Sequence, residues 1–384
     1  MPVNASLDRT NEDLSMSLSL MEVGVVPEAD GSEKAARKAY VETRPRIKER
    51  FAKRSELEVE SATYGAILQQ GQIGVCNGRV GNNLPPEQDV VELYKANGIK
   101  KMRIYDPNPA TISALQGSDI ELLLGVPNVD LPSLQSDATA WIQTNVIPHF
   151  PATKIRYIAV GNEIDPSNPG FAPLLLPAMQ SIYNALSKFG LQSQIKVSTA
   201  AYSGILASTS PPSASVFKDA SFMAPIVNFL VKTESPLLVN IYPYFAYLGD
   251  KNISLDFVLF NSERVEFVDN GMEYKNIFDA MVDGVYYALE KAGGGSMELV
   301  VSESGWPSGG GDGVVESVEK AAIYYRNLIG HVEGGTPKRK GKALETYLFG
   351  MFDENEKSGS ATEQHFGLFN PIDKTPKYQL APTQ

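Results

Sequence analysis

From Ile73 onward the chain alternates short apolar runs with longer amphipathic stretches, and this rhythm limits the possible folds more than any other feature. The runs are Ile73–Gly78, Lys101–Asp106, Glu121–Val126, Ile155–Gly161, Ile195–Thr199, Leu237–Tyr242, Glu298–Glu303 and Ala343–Phe352. They are rich in Val, Ile and Tyr, as strands are. Stretches of helical spacing lie between them: Pro86–Asn97, Ser133–Ile147, Leu174–Phe189, Tyr274–Ala292 and Val318–Val332. In the first, Val90, Val91, Leu93 and Tyr94 form an apolar face, with Glu87, Asp89 and Glu92 on the outside. Such alternation predicts parallel strands joined by helical crossovers. Eight of these units predict a closed (β/α)8 TIM barrel of the α/β class; an open doubly wound sheet is the competing arrangement. The glycine clusters Gly293–Gly295 and Gly309–Gly313 do not open a helix directly after a strand, so they read as loops and not as a dinucleotide-binding turn.

The chain has 384 residues, which suits a barrel with an extension. The predicted division is an irregular N-terminal extension over residues 1–72 and a catalytic domain over residues 73–384. Residues 34–54 are crowded with Lys and Arg, with Glu42 and Glu49 as the acids; the reading kept is a solvated tail, against a targeting segment or a nucleic-acid arm. The first twenty residues carry Asp8, Glu12 and Asp13 and no continuous apolar core, so no signal peptide is recognisable. No apolar run approaches the roughly 18 residues that would span a bilayer. The net charge of −11 argues against a nucleic-acid partner and is compatible with a neutral ligand. Cys76 is the single cysteine, and His149, His331 and His365 are far apart in sequence. No metal site and no cofactor are therefore expected. Asn4 and Asn252 stand in glycosylation sequons, which matter only for a secreted chain.

In a barrel, chemistry gathers where strands end at the C-terminal face. Two of those ends carry a glutamate inside otherwise apolar sequence: Glu163 after Tyr157–Val160, and Glu303 after Leu299–Val301. A carboxylate in such a place costs desolvation energy unless it is partnered or working. Capping a helix, or pairing with Arg103 or Arg156, is the structural alternative for each. Two carboxylates facing each other across a cleft are what glycosidic cleavage needs, one as acid and one ionised. Aromatic residues at or past the strand ends, among them Tyr105, Tyr242, Tyr244, Phe245 and Trp306, predict a cleft wall on which the apolar faces of sugar rings could pack. Core packing is the alternative for any one of them.

Several segments then take on a recognisable pattern. Ile73-Gly-Val-Cys-Asn77, Gly81-Asn-Asn-Leu-Pro85, Met102-Arg-Ile-Tyr-Asp106 and Arg156-Tyr-Ile-Ala-Val-Gly-Asn-Glu163 come first. Leu176-Pro-Ala-Met179, Lys196-Val-Ser-Thr-Ala200 and Asn240-Ile-Tyr-Pro-Tyr-Phe245 follow. Val301-Ser-Glu-Ser-Gly-Trp-Pro307, Gly334-Gly-Thr-Pro337 and Met351-Phe-Asp-Glu-Asn355 complete the series. Together, over about residues 73–380, they resemble the plant endo-β-1,3-glucanases of glycoside hydrolase family 17. The resemblance implies a (β/α)8 barrel and a retaining mechanism, with Glu163 as general acid/base, Glu303 as nucleophile and the carboxyl groups about 5–5.5 Å apart. It implies contact of Asn162 with the 2-hydroxyl region of the sugar, and it makes Glu354 and Lys357 a supporting shell of the cleft. The implied partner is a β-1,3-glucan such as callose, laminarin or fungal wall glucan, with roles in cell-wall turnover or plant defence. A monomer in an extracellular or vacuolar location is the matching expectation. A mixed-linkage β-1,3-1,4-glucanase and a catalytically silent glucan-binding protein are the alternatives. The sequence departs from the family's common pattern at Asn77, where tyrosine is frequent, and at Tyr202, where aspartate is.

Overall fold

A computed structural model describes residues 71–378 and 380. The expected extension over residues 1–72, with its basic stretch and Asn4, thus lies outside the described residues save for its last two positions. The predicted barrel is present. Its strands are β1 (Ile73–Cys76), β2 (Lys101–Ile104), β3 (Glu121–Val126), β4 (Lys154–Asn162), β5 (Lys196–Tyr202) and β6 (Leu237–Asn240), followed by β9 (Leu299–Ser304) and β10 (Thr346–Phe349). They close in the order β1-β10-β9-β6-β5-β4-β3-β2. Closure is made by the parallel β1–β10 pair, in which Ile73 faces Thr346 and Cys76 faces Phe349.

The interior is a filled core whose chemistry changes along the axis. At the N-terminal mouth Glu345 and Glu121 are held by Lys101 and Arg156, with contacts of 2.7 to 3.3 Å. The Tyr347 hydroxyl also donates to Glu345, at 3.0 Å. Gly74 is required there, because a Cβ would lie 2.5 Å from the Tyr347 ring. Mixed charges thus plug this end, and the opposite mouth is left for the site.

Helices pack outside. The helix α1 (Glu87–Ala96) buries Val90, Val91 and Tyr94, as its apolar spacing predicts. The predicted helix over 133–147 is instead two short ones, α3 (Leu131–Leu134) and α4 (Thr139–Asn145), with α2 (Pro109–Ala114) preceding them. The break has a cause in Asp137, whose carboxylate accepts from the Thr139 N–H at 2.9 Å and restarts the helix. Then follow α5 (Ala172–Lys188), α6 (Ala220–Thr233), α7 (Pro243–Gly249), α8 (Leu255–Val258), α9 (Ile277–Lys291) and α10 (Val318–Val332). In α10 the buried Ala321, Tyr324, Tyr325, Leu328, Ile329 and Val332 repeat at three- and four-residue steps, and Ser317 caps the Lys320 N–H.

Tyr274, expected at the start of a helix, sits in a small antiparallel hairpin formed by β7 (Phe267–Asp269) and β8 (Met272–Tyr274). The Asn270-Gly271 turn has φ of 49° and 77°, the geometry that a two-residue hairpin favours. Helix α9 then begins at Ile277, where the Asn276 side chain accepts from the Asp279 N–H at 2.8 Å.

One group on α9 gives a pH-dependent expectation. Asp283 is buried and accepts from the Tyr274 hydroxyl and the Lys338 N–H, both at 3.0 Å. Burial pushes its carboxyl up from the ordinary 3.8 to about 6, against the pull of those donors. The folded state thus holds the proton more tightly than the unfolded chain. This contribution is present below pH ~4 and lost as pH rises through about 6. Asp283→Asn should therefore be more stable than the parent at neutral pH, by about 1–3 kcal/mol. The difference should shrink toward pH 4 in urea titrations, and an equal difference at both pH values would refute this.

Candidate active site

The carboxylates reach the C-terminal mouth through two local irregularities. Between β4 and β5 the pairing runs from Ala159–Ser198 to Asn162–Ala200, three residues against two. This extra residue is a bulge, which re-aims the side chains that follow it. Gly161 makes it possible: its φ is 70°, and a Cβ there would lie 2.7 Å from Ile164. Glu163 follows just past the strand with φ of 50°, a left-handed conformation that costs a non-glycine residue about 1–3 kcal/mol. Its N–H donates to the Ala200 carbonyl at 2.8 Å. On the other side of the barrel, Val239 faces Val301 and Asn240 faces Glu303, so β9 also carries an extra residue just before its glutamate.

Glu303 is nearly enclosed, and donors converge on both its oxygens. Tyr105 donates to Oε1 at 2.8 Å and Tyr242 to Oε2 at 2.7 Å. Burial raises both phenols well above their ordinary range, so both remain neutral donors. The Arg103 guanidinium lies 3.0 Å from Oε1, with side-chain exposures of 2% for Arg103 and 7% for Glu303. Arg103 also donates to Asn162 Oδ1 at 2.8 Å, to Asn240 Oδ1 at 3.0 Å and to the Ser302 carbonyl at 2.8 Å. Its guanidinium stacks 4.6 Å above the Tyr105 ring centroid. Asn240, in turn, donates to Glu163 Oε1 at 3.0 Å and accepts from the Ser302 hydroxyl at 2.8 Å. The two glutamates expected from the sequence are thus the ends of one polar chain, an ion pair from Glu303 to Arg103 and hydrogen bonds from Arg103 through Asn240 to Glu163. This geometry can hold one anionic carboxylate beside a second carboxyl that faces the same cleft.

The surrounding residues complete the mouth. Glu354 is buried, accepts from the Val80 N–H at 2.8 Å, and lies 3.9 Å from Lys357. Burial raises its carboxyl, and Lys357 opposes the shift. Lys357 also stands 4.1 Å over the Phe349 ring. Cys76 lies beneath, with its Sγ 3.4 Å from the Ser302 carbonyl; burial pushes the thiol up to about 12, so it stays protonated and unreactive. Asn77, Arg79, Glu87 and Phe352 line an adjoining depression of about 200 Å³. Tyr202, at the end of β5, donates to Asp165 at 3.2 Å. Among the described residues no group of three or more His, Cys, Asp or Glu could hold a metal ion.

Comparison with known proteins gives this arrangement a family. The profile of Glycosyl hydrolases family 17 matches residues 73–381. The chain belongs to that family. A "Glucan endo-1,3-beta-glucosidase" of Vitis vinifera is 55% identical over 80% of this chain and 91% of its own length. The acidic isoform GI9 of Nicotiana tabacum, of the same name, is 54% identical over 80% and 90%. Among solved structures, CJP38, a β-1,3-glucanase and allergen of Cryptomeria japonica pollen, is 47% identical with a TM-score of 0.77, over 80% of this chain and 98% of that one. A chain from a study of two plant β-glucan endohydrolases with distinct substrate specificities is 42% identical with a TM-score of 0.75, over 79% and 98%.

The family 17 barrel corrects two expectations about the cleft wall. Trp306 is 0% exposed and Tyr244 is 1% exposed, so neither can offer a ring face to a sugar. The Trp306 indole donates to the Val315 carbonyl at 2.8 Å and packs between Tyr244 and Tyr324, with centroids 5.2 and 5.5 Å away. The Tyr244 hydroxyl donates to Glu316 at 2.8 Å. Both residues support the wall from behind. Tyr105, Tyr242 and Phe245 are half-buried, and Tyr242 and Phe245 pack with centroids 5.3 Å apart. Asn162 is half-buried at the end of β4, at the centre of the network. Asn240 and Asn128, which the sequence did not single out, belong to the same network. In sequence Arg103 reads as a pairing partner of a strand-end glutamate; the structure gives it that role toward Glu303 and adds bonds to Asn162 and Asn240. Arg156, the other pairing partner considered, serves the charge cluster at the opposite mouth.

Proposed function

We propose that this chain is a retaining endo-hydrolase of β-1,3-glucosidic linkages in β-1,3-glucans, and that it works as a monomer without metal or cofactor. The observation that carries the reading is the asymmetric setting of the two glutamates. Glu303 is surrounded by a guanidinium and two neutral phenols, a setting suited to an anionic nucleophile. Glu163 accepts from the Asn240 amide, a neutral donor and not a cation, and takes the proton-transferring role that the family resemblance implies for it. In the first step Glu163 gives its proton to the glycosidic oxygen while the Glu303 carboxylate attacks the anomeric carbon. The C–O bond to the departing sugar breaks and a glycosyl ester on Glu303 forms. In the second step Glu163 takes a proton from water, the water oxygen attacks the same carbon, and the ester bond breaks with the sugar's configuration retained. Asn162, tied to Arg103 and Asn240, takes the contact with the 2-hydroxyl region of the sugar that the family resemblance implies. Tyr105, Tyr242 and Phe245 supply wall surface, while Glu354 and Lys357 hold the β1 and β10 loops together. The names of relatives at 54–55% identity support the β-1,3 linkage.

An extracellular or vacuolar location fits the family resemblance. Among the described residues no helix is long and apolar enough to cross a membrane.

The test is a substrate panel of laminarin, mixed-linkage β-glucan, cellulose and mannan, with product anomers followed by NMR. Cleavage of laminarin with β-anomers appearing first is the expected result. Preference for mixed-linkage glucan would move the specificity to β-1,3-1,4-glucan, α-anomers first would overturn the retaining roles, and no cleavage at all would favour a glucan-binding protein.

A further inference from the structure

Glu163 owes its direction to a backbone conformation that its own side chain does not favour, so something must hold the preceding peptide. Two residues after β3, the Asn128 side chain reaches across to β4. Its Nδ2 donates to the Asn162 carbonyl at 3.0 Å, and its Oδ1 accepts from the Asn162 N–H at 2.8 Å. Both backbone groups of the residue before Glu163 are therefore tied to one planar amide. The Asn162 side chain is fixed independently, by Arg103 at 2.8 Å and Asn240 at 3.3 Å. With the bulge at Gly161 on one side and the Ala200 contact on the other, little freedom remains except rotation within Glu163 itself.

We propose that Asn128 is a positioning residue for the proton-transferring carboxyl: its amide clamps the Asn162 peptide in both directions and so fixes where Glu163 presents its proton. The inference rests on the reading of Glu163 as general acid/base. The alternative is a brace that merely joins the ends of β3 and β4. The two differ in consequence. A brace supports the whole mouth, Glu303 included. A clamp on the Glu163 peptide affects the step in which Glu163 moves a proton, because proton transfer needs hydrogen-bond reach and a misplacement of about 1 Å can cost 10²-fold.

The experiment compares kcat/KM for laminaripentaose, whose departing sugar needs protonation, with that for a 2,4-dinitrophenyl β-laminaribioside, whose phenolate departs unaided. For kcat/KM of the aryl substrate, the first irreversible step is glycosylation of Glu303, which then needs no acid. Wild type, Glu163→Ala, Asn128→Ala and Asn128→Asp are measured, with thermal unfolding as a check on folding. Asn128→Asp keeps the acceptor for the Asn162 N–H and loses the donor to its carbonyl, so the clamp is tested even where the alanine variant folds poorly. We expect Asn128→Ala to lose roughly 10- to 100-fold on the pentaose and less than about threefold on the aryl substrate. Asn128→Asp should show the same asymmetry to a smaller degree. Equal losses on both substrates, or no loss on either, would overturn the clamp. If Glu163→Ala itself lost both activities equally, the acid/base assignment would fall first and the clamp with it, so the two failures are told apart.

Discussion

Glu303→Gln is expected to lower kcat on laminarin by about 10⁴-fold or more while leaving oligosaccharide binding largely intact. The amide matches the carboxylate in shape, so the wall formed by Tyr105, Tyr242 and Phe245 stays in place. What disappears is the electron pair that forms the glycosyl ester, and no other described carboxylate is held in the same way. Glu354 feels the charge of Glu303, but it is buried beneath Gly78 and bound to the Val80 N–H. It cannot take over the attack without dismantling that loop. Calorimetric titration with laminari-oligosaccharides, beside rate measurements, separates the two effects. A variant that hydrolysed laminarin near the parent's rate would show that Glu303 is not the nucleophile.

The barrel was legible because its signal is redundant. Eight short apolar runs alternate with helical stretches, so an error in one boundary leaves the pattern intact. The local errors have local causes. The helix expected over 133–147 breaks where Asp137 offers a side-chain acceptor to the Thr139 N–H, a competing bond that apolar spacing does not reveal. The Tyr274–Ala292 stretch reads as one helix by its spacing, although Asn270-Gly271 just before it marks a hairpin. Glu163 and Glu303 stood out because a carboxylate is conspicuous in apolar surroundings. The network between them did not, since it depends on which side chains cross the barrel. Asn240 and Asn128 are ordinary amides in sequence, and only the folded barrel brings Asn240 to Glu163 and Asn128 to the Asn162 backbone. Trp306 and Tyr244 failed for the converse reason. An aromatic residue at a strand end can face the cleft or support it from behind, and that depends on the path of the Val315–Glu316 segment.

Arg103→Met should be the most damaging single change to the stability of the barrel, at about 3–5 kcal/mol. The side chain keeps its apolar stem but gives up the guanidinium, and the Glu303 carboxylate is left buried without its cation. Asn162, Asn240 and the Ser302 carbonyl each lose a donor as well. Removing both charges is less harmful than removing one, so Arg103→Met combined with Glu303→Gln should unfold at higher urea than Arg103→Met alone. This non-additivity measures the pair itself. Arg103→Lys gives a second contrast. It restores a charge but not the planar fork that reaches Glu303, Asn162 and Asn240 together, so stability should recover in part while kcat stays low. If Arg103→Met matched the parent in urea unfolding, or the double variant were less stable than the single one, the ion pair would not hold the site together. If Arg103→Lys were fully active, a point charge would suffice, and the shared hydrogen bonds would be incidental to catalysis.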